Sequence, residues 1–518
     1  MNFLRDLPVL VLGLGDSGLA MARWCARCGA RVTVWDSREL PPQWDTLHRE
    51  LPQVQRLAEL PQGQALLDWR LLLKSPGLSP LDPSVAGSLH SAREMALAVL
   101  GELDLFVHAL HDLEADQGYA PQVLAITGTN GKTTVTSMTT LLLERCAKRV
   151  VCAGNIGPSL LDTLTRVLNG EAAELPQVWV LELSSFQLQG GGWGVQGFEP
   201  SAAVVLNISQ DHLDWHGDMA AYRQAKARIF GQQTVLVINR DDAAVLAMVP
   251  PPAVAAKTTG GPRLKPVERV VLGFGLSPPS RAGEFGLVVE NGMAWLVRAL
   301  PSEEPVKRKR GAPEEPEEIH LQRLMPADAL RVRGRHNAAN ALAALALASA
   351  IGCPLAPLLH GLREYGGEAH RLQFVAAIDG VETFDDSKAT NVGATLAALM
   401  GLGADKAPAR LVVILGGQGK GQDFSPLNAA LREHARAVAT IGRDARLIED
   451  SIATCGVPVQ RFVSLELAVA WGFAQAQPGD ALLLSPACAS LDMFRNYGHR
   501  AEVFMAAVQA HAADRGLV

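Results

Sequence analysis

Residues 123–127, Val-Leu-Ala-Ile-Thr, run without a break into Gly128-Thr129-Asn130-Gly131-Lys132-Thr133-Thr134 and then into an apolar helical stretch. No other feature restricts the fold as strongly. A continuous apolar run fits a strand covered on both faces, and a glycine loop that opens a helix at such a strand's end belongs to a helix-flanked parallel sheet. In that setting the backbone N–H groups and Lys132 can hold the β- and γ-phosphates of ATP, and the Thr133 hydroxyl can ligate Mg²⁺. The general phosphate-loop pattern asks for a glycine at position 126, where this chain has Ile, so the loop is a shortened variant. A helix cap with a surface lysine is the bland alternative.

Comparable runs at 9–14, 31–35, 178–183, 202–207, 234–239, 411–415 and 481–484 alternate with Ala- and Leu-rich helical stretches. The fold class is therefore α/β, doubly wound, with parallel sheets. A chain of 518 residues exceeds one core. Boundaries near residue 100 and at the Gly366-Gly367 pair, after the Ala-rich helix 337–351, divide it into 1–99, 100–366 and 367–518.

A second glycine loop, Gly13-Leu14-Gly15-Asp16-Ser17-Gly18, follows the first strand and opens a helix, while Asp36 closes the next strand. This pattern suits a dinucleotide, another nucleotide, or merely tight strand–helix packing. Used for NAD, it would make the chain an oxidoreductase, a reading that leaves the loop at 128–134 unexplained. A non-catalytic nucleotide switch would explain that loop but little else.

Glu182 ends a very apolar run and precedes Ser184-Ser185-Phe186-Gln187, and Asp211-His212 follows another run. Both deliver ligand-type side chains to the carboxyl edge of a parallel sheet, where ligands bind. The four-residue spacing of His212 and His216 could hold zinc, but hard oxygen donors and the strand-end setting favour a Mg²⁺–phosphate site. Lys226, on a helix expected over 221–230, reads by itself as a surface or snorkelling lysine.

The formal charge of -6 gives no broad basic surface for a polynucleotide, so no nucleic-acid partner is expected. No apolar run reaches the ~18–20 residues of a membrane span, and the apolar start lacks a small-residue cleavage site. Seven scattered cysteines point to reduced thiols and the cytoplasm, and the single Cys25-x-x-Cys28 pair lacks the second pair of a metal site. The stretch 301–318, with Lys307 to Arg310 bracketed by glutamates, reads as a solvated loop rather than a recognition patch.

Taken together, these motifs resemble the Mur ligase family, over almost the whole chain. The resemblance rests on the loop 128–134, Gly154-Asn155-Ile156-Gly157, the run from Glu182 to Gln187, Asp211-His212, Lys226, and Gly334-Arg335-His336-Asn337-Ala338-Ala339-Asn340-Ala341. It implies an N-terminal Rossmann-like UDP-binding domain, a central ATPase-like domain and a C-terminal Rossmann-like domain. It also implies ATP, two Mg²⁺ ions held by Thr133, Glu182, His212 and a carbamylated Lys226, and catalytic roles for Lys132, His212 and Lys226. Asn337, Arg371 and Asp386 resemble further ATP contacts, beside Gly128, Thr129, Asn130, Gly131 and Thr134.

Within the family, three stretches resemble the members that add D-glutamate: Asp385-Asp386-Ser387-Lys388-Ala389-Thr390-Asn391, Gly416-Gly417-Gln418-Gly419-Lys420-Gly421, and residues 485–494. Lys388 and Lys420 beside Thr390 and Ser490 suit a dicarboxylic amino acid, whose carboxylates each want a cation and a hydroxyl. The implied second substrate is UDP-N-acetylmuramoyl-L-alanine, bound by Gly15, Asp16, Ser17, Asp36, Ser37, Arg38, Gly77, Asn155, Ser184 and Gln187, in a monomer. Tyr497 stands where the resemblance leads one to expect phenylalanine. Extra residues lie before Pro121, between Gly157 and Val178, and around 301–318.

Overall fold

A computed structural model describes residues 2–170, 174–190, 197–250, 269–302 and 318–516, so the charged stretch from Lys307 to Arg310 lies outside the described residues. Three α/β units follow one another, each built on its own sheet.

The first sheet is wholly parallel, in the spatial order Gln55–Arg56, Arg31–Trp35, Pro8–Leu12, Leu71–Lys74, Ala98–Leu100. From the central strand the chain first builds outward on one side and then restarts on the other. A crevice therefore opens at the carboxyl ends of Pro8–Leu12 and Leu71–Lys74, the switch point where such sheets take ligands. Helix Asp16–Arg27 starts at that crevice. A Cβ on Gly18 would lie 2.0 Å from the Gly13 carbonyl oxygen, so only glycine lets the helix begin this close to the strand. Cys25 is buried on this helix, and burial pushes its thiol pKa up. All seven cysteines are free.

Among the described residues the second sheet has nine strands. Its core is parallel, in the order Val235–Asn239, Ala202–Val205, Gln122–Thr127, Val178–Glu182, Val150–Gly154. Register sets the site: Ile126 pairs with Glu182, Glu182 with Gly154, and Thr127 with Val205. The start of the phosphate loop, the Glu182 carboxylate and the loop after Gly154 are thus level. On the far side Val271–Phe274 leads to Phe285–Glu290, Met293–Pro301 and Ile319–Pro326, the last three joined antiparallel. This antiparallel extension is not foreshadowed by the long apolar runs, because its strands are only half buried; Val289 is 60% exposed.

Helix Lys132–Arg145 and helix Arg335–Ala350 pack on one another beside this sheet. The second is Ala- and Leu-rich all round and buried, as an interior helix must be.

The third sheet runs Gln373–Ile378, Val381–Asp385, Ala481–Leu484, Leu411–Gly416, Ala435–Ile441, Val459–Arg461, parallel except for its first pair. Asp385 pairs with Leu484, which brings Asp386-Ser387-Lys388 and Ser485 to one edge. Among the described residues no helix is long and apolar enough to cross a membrane.

Candidate active site

The phosphate loop is held both by bonds within itself and by bonds to Asn207, Ser209 and Tyr222. Gly128 has φ +155°, and a Cβ there would lie 2.9 Å from the Leu206 Cβ, so the loop can lie against the next strand only as glycine. The Thr129 N–H donates to the Asn207 carbonyl at 2.9 Å, and its Oγ1 accepts from the Ser209 N–H at 3.0 Å and lies 3.1 Å from the Tyr222 hydroxyl. Thr129 therefore shapes the loop from beneath. Lys132 Nζ curls back to the carbonyls of Gly128 at 2.9 Å and Thr129 at 2.8 Å. It opens helix Lys132–Arg145, whose first-turn N–H groups lack intrahelical acceptors and point toward an anion.

Asn130, Gly131 and Thr134 line a cavity that Asn337 borders from helix Arg335–Ala350 and Arg371 and Asp386 from the third unit. Arg371 reaches across the interface, its Nη2 donating to the Thr133 Oγ1 at 2.9 Å. Asn391 does the same beside it: Asn130 Nδ2 donates to Asn391 Oδ1 at 3.2 Å and Asn391 Nδ2 to Asn130 Oδ1 at 3.1 Å. Asp386 accepts from Ser485 Oγ at 2.8 Å and from the Leu372 N–H at 3.2 Å. Burial nevertheless pushes its carboxyl up to about 7.

The same cavity is lined by Asn239, Asp241 and Phe274, which sequence reasoning did not single out, and by His336, which it named only within the stretch 334–341. A signal existed for two of them. Asn239 ends the apolar run at 234–239 and Asp241 lies two residues beyond it, and strand ends on the carboxyl side of a parallel sheet are where ligands are met.

At the strand ends next to the loop, Glu182 is 1% exposed. Its Oε1 accepts from Asn155 Nδ2 at 2.9 Å, whereas Oε2 is buried without a hydrogen-bond partner. A buried carboxylate oxygen with no donor fits a cation, since leaving it unpaired is costly. His212 lies near, its Nε2 3.5 Å from Asp211 Oδ2 and its ring edge-on to Phe186 at 4.8 Å. Burial keeps its imidazole pKa low, against the pull of Asp211. His216 does not join it: its Nε2 meets Ser185 Oγ at 2.9 Å. No group of three or more His, Cys, Asp or Glu that could hold a metal occurs among the described residues. A cation here would rest on Glu182, His212, the Thr133 hydroxyl and phosphate oxygens, a hard donor set that suits Mg²⁺ better than zinc.

Lys226 departs from its surface reading. It is 2% exposed, and its Nζ donates to the Gly128 carbonyl at 2.9 Å and to Thr127 Oγ1 at 3.2 Å. Helix Met219–Ala227 carries it under the loop, with the ammonium 4.8 Å from the centre of the Tyr222 ring. Burial, then the positive charge of Lys132, holds its pKa well below the usual lysine range.

The third unit also carries the two lysines that the sequence suggested for a dicarboxylic amino acid. Lys388 is half-buried, with its ammonium 5.4 Å from the centre of the Tyr497 ring, and the fields of Arg371, Glu182 and Lys132 all reach it. Lys420 is exposed and its charge acts on His212. The Thr390 N–H donates to the Lys388 carbonyl at 3.0 Å, and Ser490 is buried in the 485–494 segment. Arg500, fully buried, ties the segments around Ser387 and Cys488 together by donating to the carbonyls of Ser387 at 2.6 Å and Cys488 at 3.1 Å. In sequence it is one more arginine on a helix.

The crevice of the first unit opens into a cleft lined by Gly15, Asp16, Ser17, Asp36, Ser37, Arg38 and Gly77, and, from the central unit, by Asn155 and Gln187. Asp36 is occupied by protein donors: Leu14 N–H at 2.6 Å and Arg38 Nη2 at 2.7 Å on Oδ2, Arg38 N–H at 2.9 Å and Nε at 2.8 Å on Oδ1. Burial alone would raise its pKa, but the Arg38 and Leu14 bonds prevail and take it to about 2. It orients the glycine loop and Arg38. Ser184 stands apart from the cleft lining, because it caps helix Ser185–Gln189: its Oγ accepts from the Gln187 N–H at 3.2 Å, and Gln187 Oε1 accepts from the Ser184 N–H at 3.0 Å.

Comparison with known proteins agrees with this layout. Family models match residues 8–97 as the N-terminal domain of MurD-like Mur ligases, 126–261 as the Mur ligase middle domain and 370–488 as the Mur ligase glutamate ligase domain. The chain is 56% identical to the UDP-N-acetylmuramoylalanine--D-glutamate ligase of Albidiferax ferrireducens, covering 100% of this chain and 98% of that one. It is 54% identical to the enzyme of that name from Burkholderia mallei, over 99% of each chain. Among solved structures, MurC from Thermotoga maritima matches with a TM-score of 0.53 at 18% identity, over 98% of this chain and 100% of that one. MurF from the same organism, solved in complex with ADP, matches with a TM-score of 0.56 at 14% identity, over 98% and 96%. Those two likenesses concern the fold, which in such ligases has three domains.

Proposed function

The chain belongs to the Mur ligase family, and from that premise we propose that it is the ATP-dependent, amide-bond-forming ligase that adds D-glutamate to UDP-N-acetylmuramoyl-L-alanine in peptidoglycan precursor synthesis. The observation that carries this reading is convergence. Asn155 belongs to the lining of the first-unit cleft and bonds Glu182; Arg371 belongs to the third unit and bonds Thr133 of the phosphate loop. Three recognition regions thus meet at the buried Glu182 carboxylate, the buried Lys226 and the partly buried Lys132.

ATP is a substrate of this reaction. Lys132, the first turn of helix Lys132–Arg145 and Arg371 would hold its phosphates, with Asn337 and Asp386 beside the nucleoside. The terminal carboxylate of the UDP substrate attacks the γ-phosphorus, and ADP leaves. The amine of glutamate then attacks the acyl phosphate carbon; the new C–N bond forms, phosphate departs with the C–O bond, and the amine's extra proton goes to water. Charge stabilisation dominates both steps. Bound Mg²⁺, two ions in this reading, would neutralise the phosphate oxygens. Lys388 and Lys420, with Thr390, Ser490 and Tyr497 around them, would receive the two glutamate carboxylates. Docking of the third unit on the phosphate loop would exclude water.

Carbamylation of Lys226 fits the same reading. A buried amine whose pKa is held low adds CO₂ and releases a proton, and the resulting anion attracts the Lys132 ammonium while gaining oxygens for a cation. The domains are read as 1–99, 100–366 and 367–518, the working unit as a monomer, and the site of action as the cytoplasm, where nucleotide substrates are found.

The test is phosphate release from ATP and Mg²⁺ with UDP-N-acetylmuramoyl-L-alanine, comparing D-glutamate, L-glutamate, meso-diaminopimelate and no amino acid. Release with D-glutamate alone is expected; release with another amino acid moves the specificity, and release indifferent to the amino acid ends the ligase reading.

A further inference from the structure

Lys74 ends strand Leu71–Lys74 and is 2% exposed. A buried ammonium is ordinarily matched by a carboxylate. Here burial is the sole cause of its pKa shift, which takes it down to about 8, so no acidic neighbour offsets the cost. Its partners are instead two backbone carbonyls and a ring. Nζ donates to the Leu78 carbonyl at 2.9 Å and to the Ser75 carbonyl at 3.3 Å, and stands 5.4 Å from the centre of the Trp215 ring.

Both ends of this arrangement lead to function. Residues 75–78 line the first-unit cleft. Ser75 Oγ donates to the Gly13 carbonyl at 2.7 Å, so the segment Lys74 closes is pinned to the glycine loop opposite. Trp215 belongs to the central unit, three residues beyond His212, and Ser79 Oγ donates to its carbonyl at 3.1 Å. The Trp215 ring packs on Phe186 at 4.6 Å, and Phe186 meets the His212 ring at 4.8 Å. A cation in this position holds one wall of the cleft shut and seats it against the segment that carries His212.

We propose that Lys74 is a positioning residue for the nucleotide-sugar substrate: it closes residues 75–78 into the shape that receives the diphosphate-bearing ligand and anchors that wall on Trp215. The inference rests on reading this cleft as the UDP-substrate site. Lys74 does not line the cleft, so it acts through the loop.

The experiment measures steady-state phosphate release by the full chain with each substrate varied in turn, for the wild type, Lys74→Met and Lys74→Arg. Wild-type release that depends on UDP-N-acetylmuramoyl-L-alanine establishes the cleft's substrate first; its absence would sink that reading before Lys74 is in question. Given it, Lys74→Met is expected to raise KM for the UDP substrate about tenfold or more, the scale of lost charge-assisted hydrogen bonds, with KM for ATP and for glutamate moving less than about twofold. Lys74→Arg, which keeps the charge and the donors, should recover most of the loss. An unchanged KM for the UDP substrate, or a fall confined to kcat, overturns the proposal. Should Lys74→Met fail to fold, Lys74→Gln keeps two donors without the charge and takes its place under the same criteria.

Discussion

Asn130 and Asn391 exchange side-chain amide hydrogen bonds, at 3.2 and 3.1 Å, across the interface between the phosphate loop and the third unit. Asn391 has a second duty, since its Oδ1 also accepts from the Ala394 N–H at 2.9 Å and caps helix Val392–Lys406. Next to it, Gly393 comes so near that a Cβ would lie 2.7 Å from Ser209 Oγ. The closed arrangement therefore depends on small, neutral groups at the contact.

Asn391→Asp separates the two duties. A carboxylate still caps the helix, but it presents an oxygen where Asn391 donates to Asn130 and to Asp211 Oδ2 at 3.4 Å. The melting temperature should change little, while kcat/KM for ATP drops about tenfold or more. Equal loss in stability and activity would mean that the amide exchange is incidental.

Glu182→Gln tests the unpartnered Oε2. The amide keeps an acceptor for Asn155 but loses the charge a cation needs. The Mg²⁺ concentration for half-maximal phosphate release should rise about 10–100-fold, at least as much as losing an outer partner of a metal site costs, with KM for the UDP substrate little altered. An unshifted Mg²⁺ curve would remove Glu182 from the cation site.

Lys226→Ala should lower kcat at least about a hundredfold, as loss of a preorganised charge does, and formate or acetate should restore part of it by supplying an anion in the space left. Phosphate release at increasing carboxylate concentration is the measurement. A folded variant with no recovery argues that the lysine acts as an amine and not as a carbamate.

Asp386 makes stability depend on pH. Burial raises its carboxyl from 3.8 to about 7, so the folded state holds a proton that the unfolded state has lost. Its contribution is fully present below pH ~4 and is lost as pH rises through ~7. Asp386→Asn, which keeps an acceptor for the Leu372 N–H, should therefore gain on the wild type as pH rises from 5 to 8, by more than about 1 kcal/mol at the upper end. Urea unfolding at the two pH values reads the difference; parallel curves would show that the group titrates alike in both states.

Much of this was legible from neighbours in the chain. The runs at 31–35 and 481–484 became the strands Arg31–Trp35 and Ala481–Leu484, and the run at 123–127 became Gln122–Thr127 with the phosphate loop at its carboxyl end. Strand, loop and helix start are set by residues within a few positions of each other, so apolar periodicity and glycine placement carry the information. Half-buried strands such as Met293–Pro301, with their weaker pattern, carry less of it. Ser184, read from its motif as a substrate contact, also caps helix Ser185–Gln189 through its hydroxyl.

What adjacency could not convey is which distant side chains meet. Lys226 and Gly128 are 98 positions apart, Asn130 and Asn391 are 261 apart, and nothing local to any of them marks the pairing. Burial holds the pKa of an otherwise ordinary lysine well below its usual range beneath the phosphate loop, and leaves Lys74 an unmatched cation behind the cleft wall. Both outcomes follow from removing a charge from water, and only the packing of one unit on another decides which charges are removed.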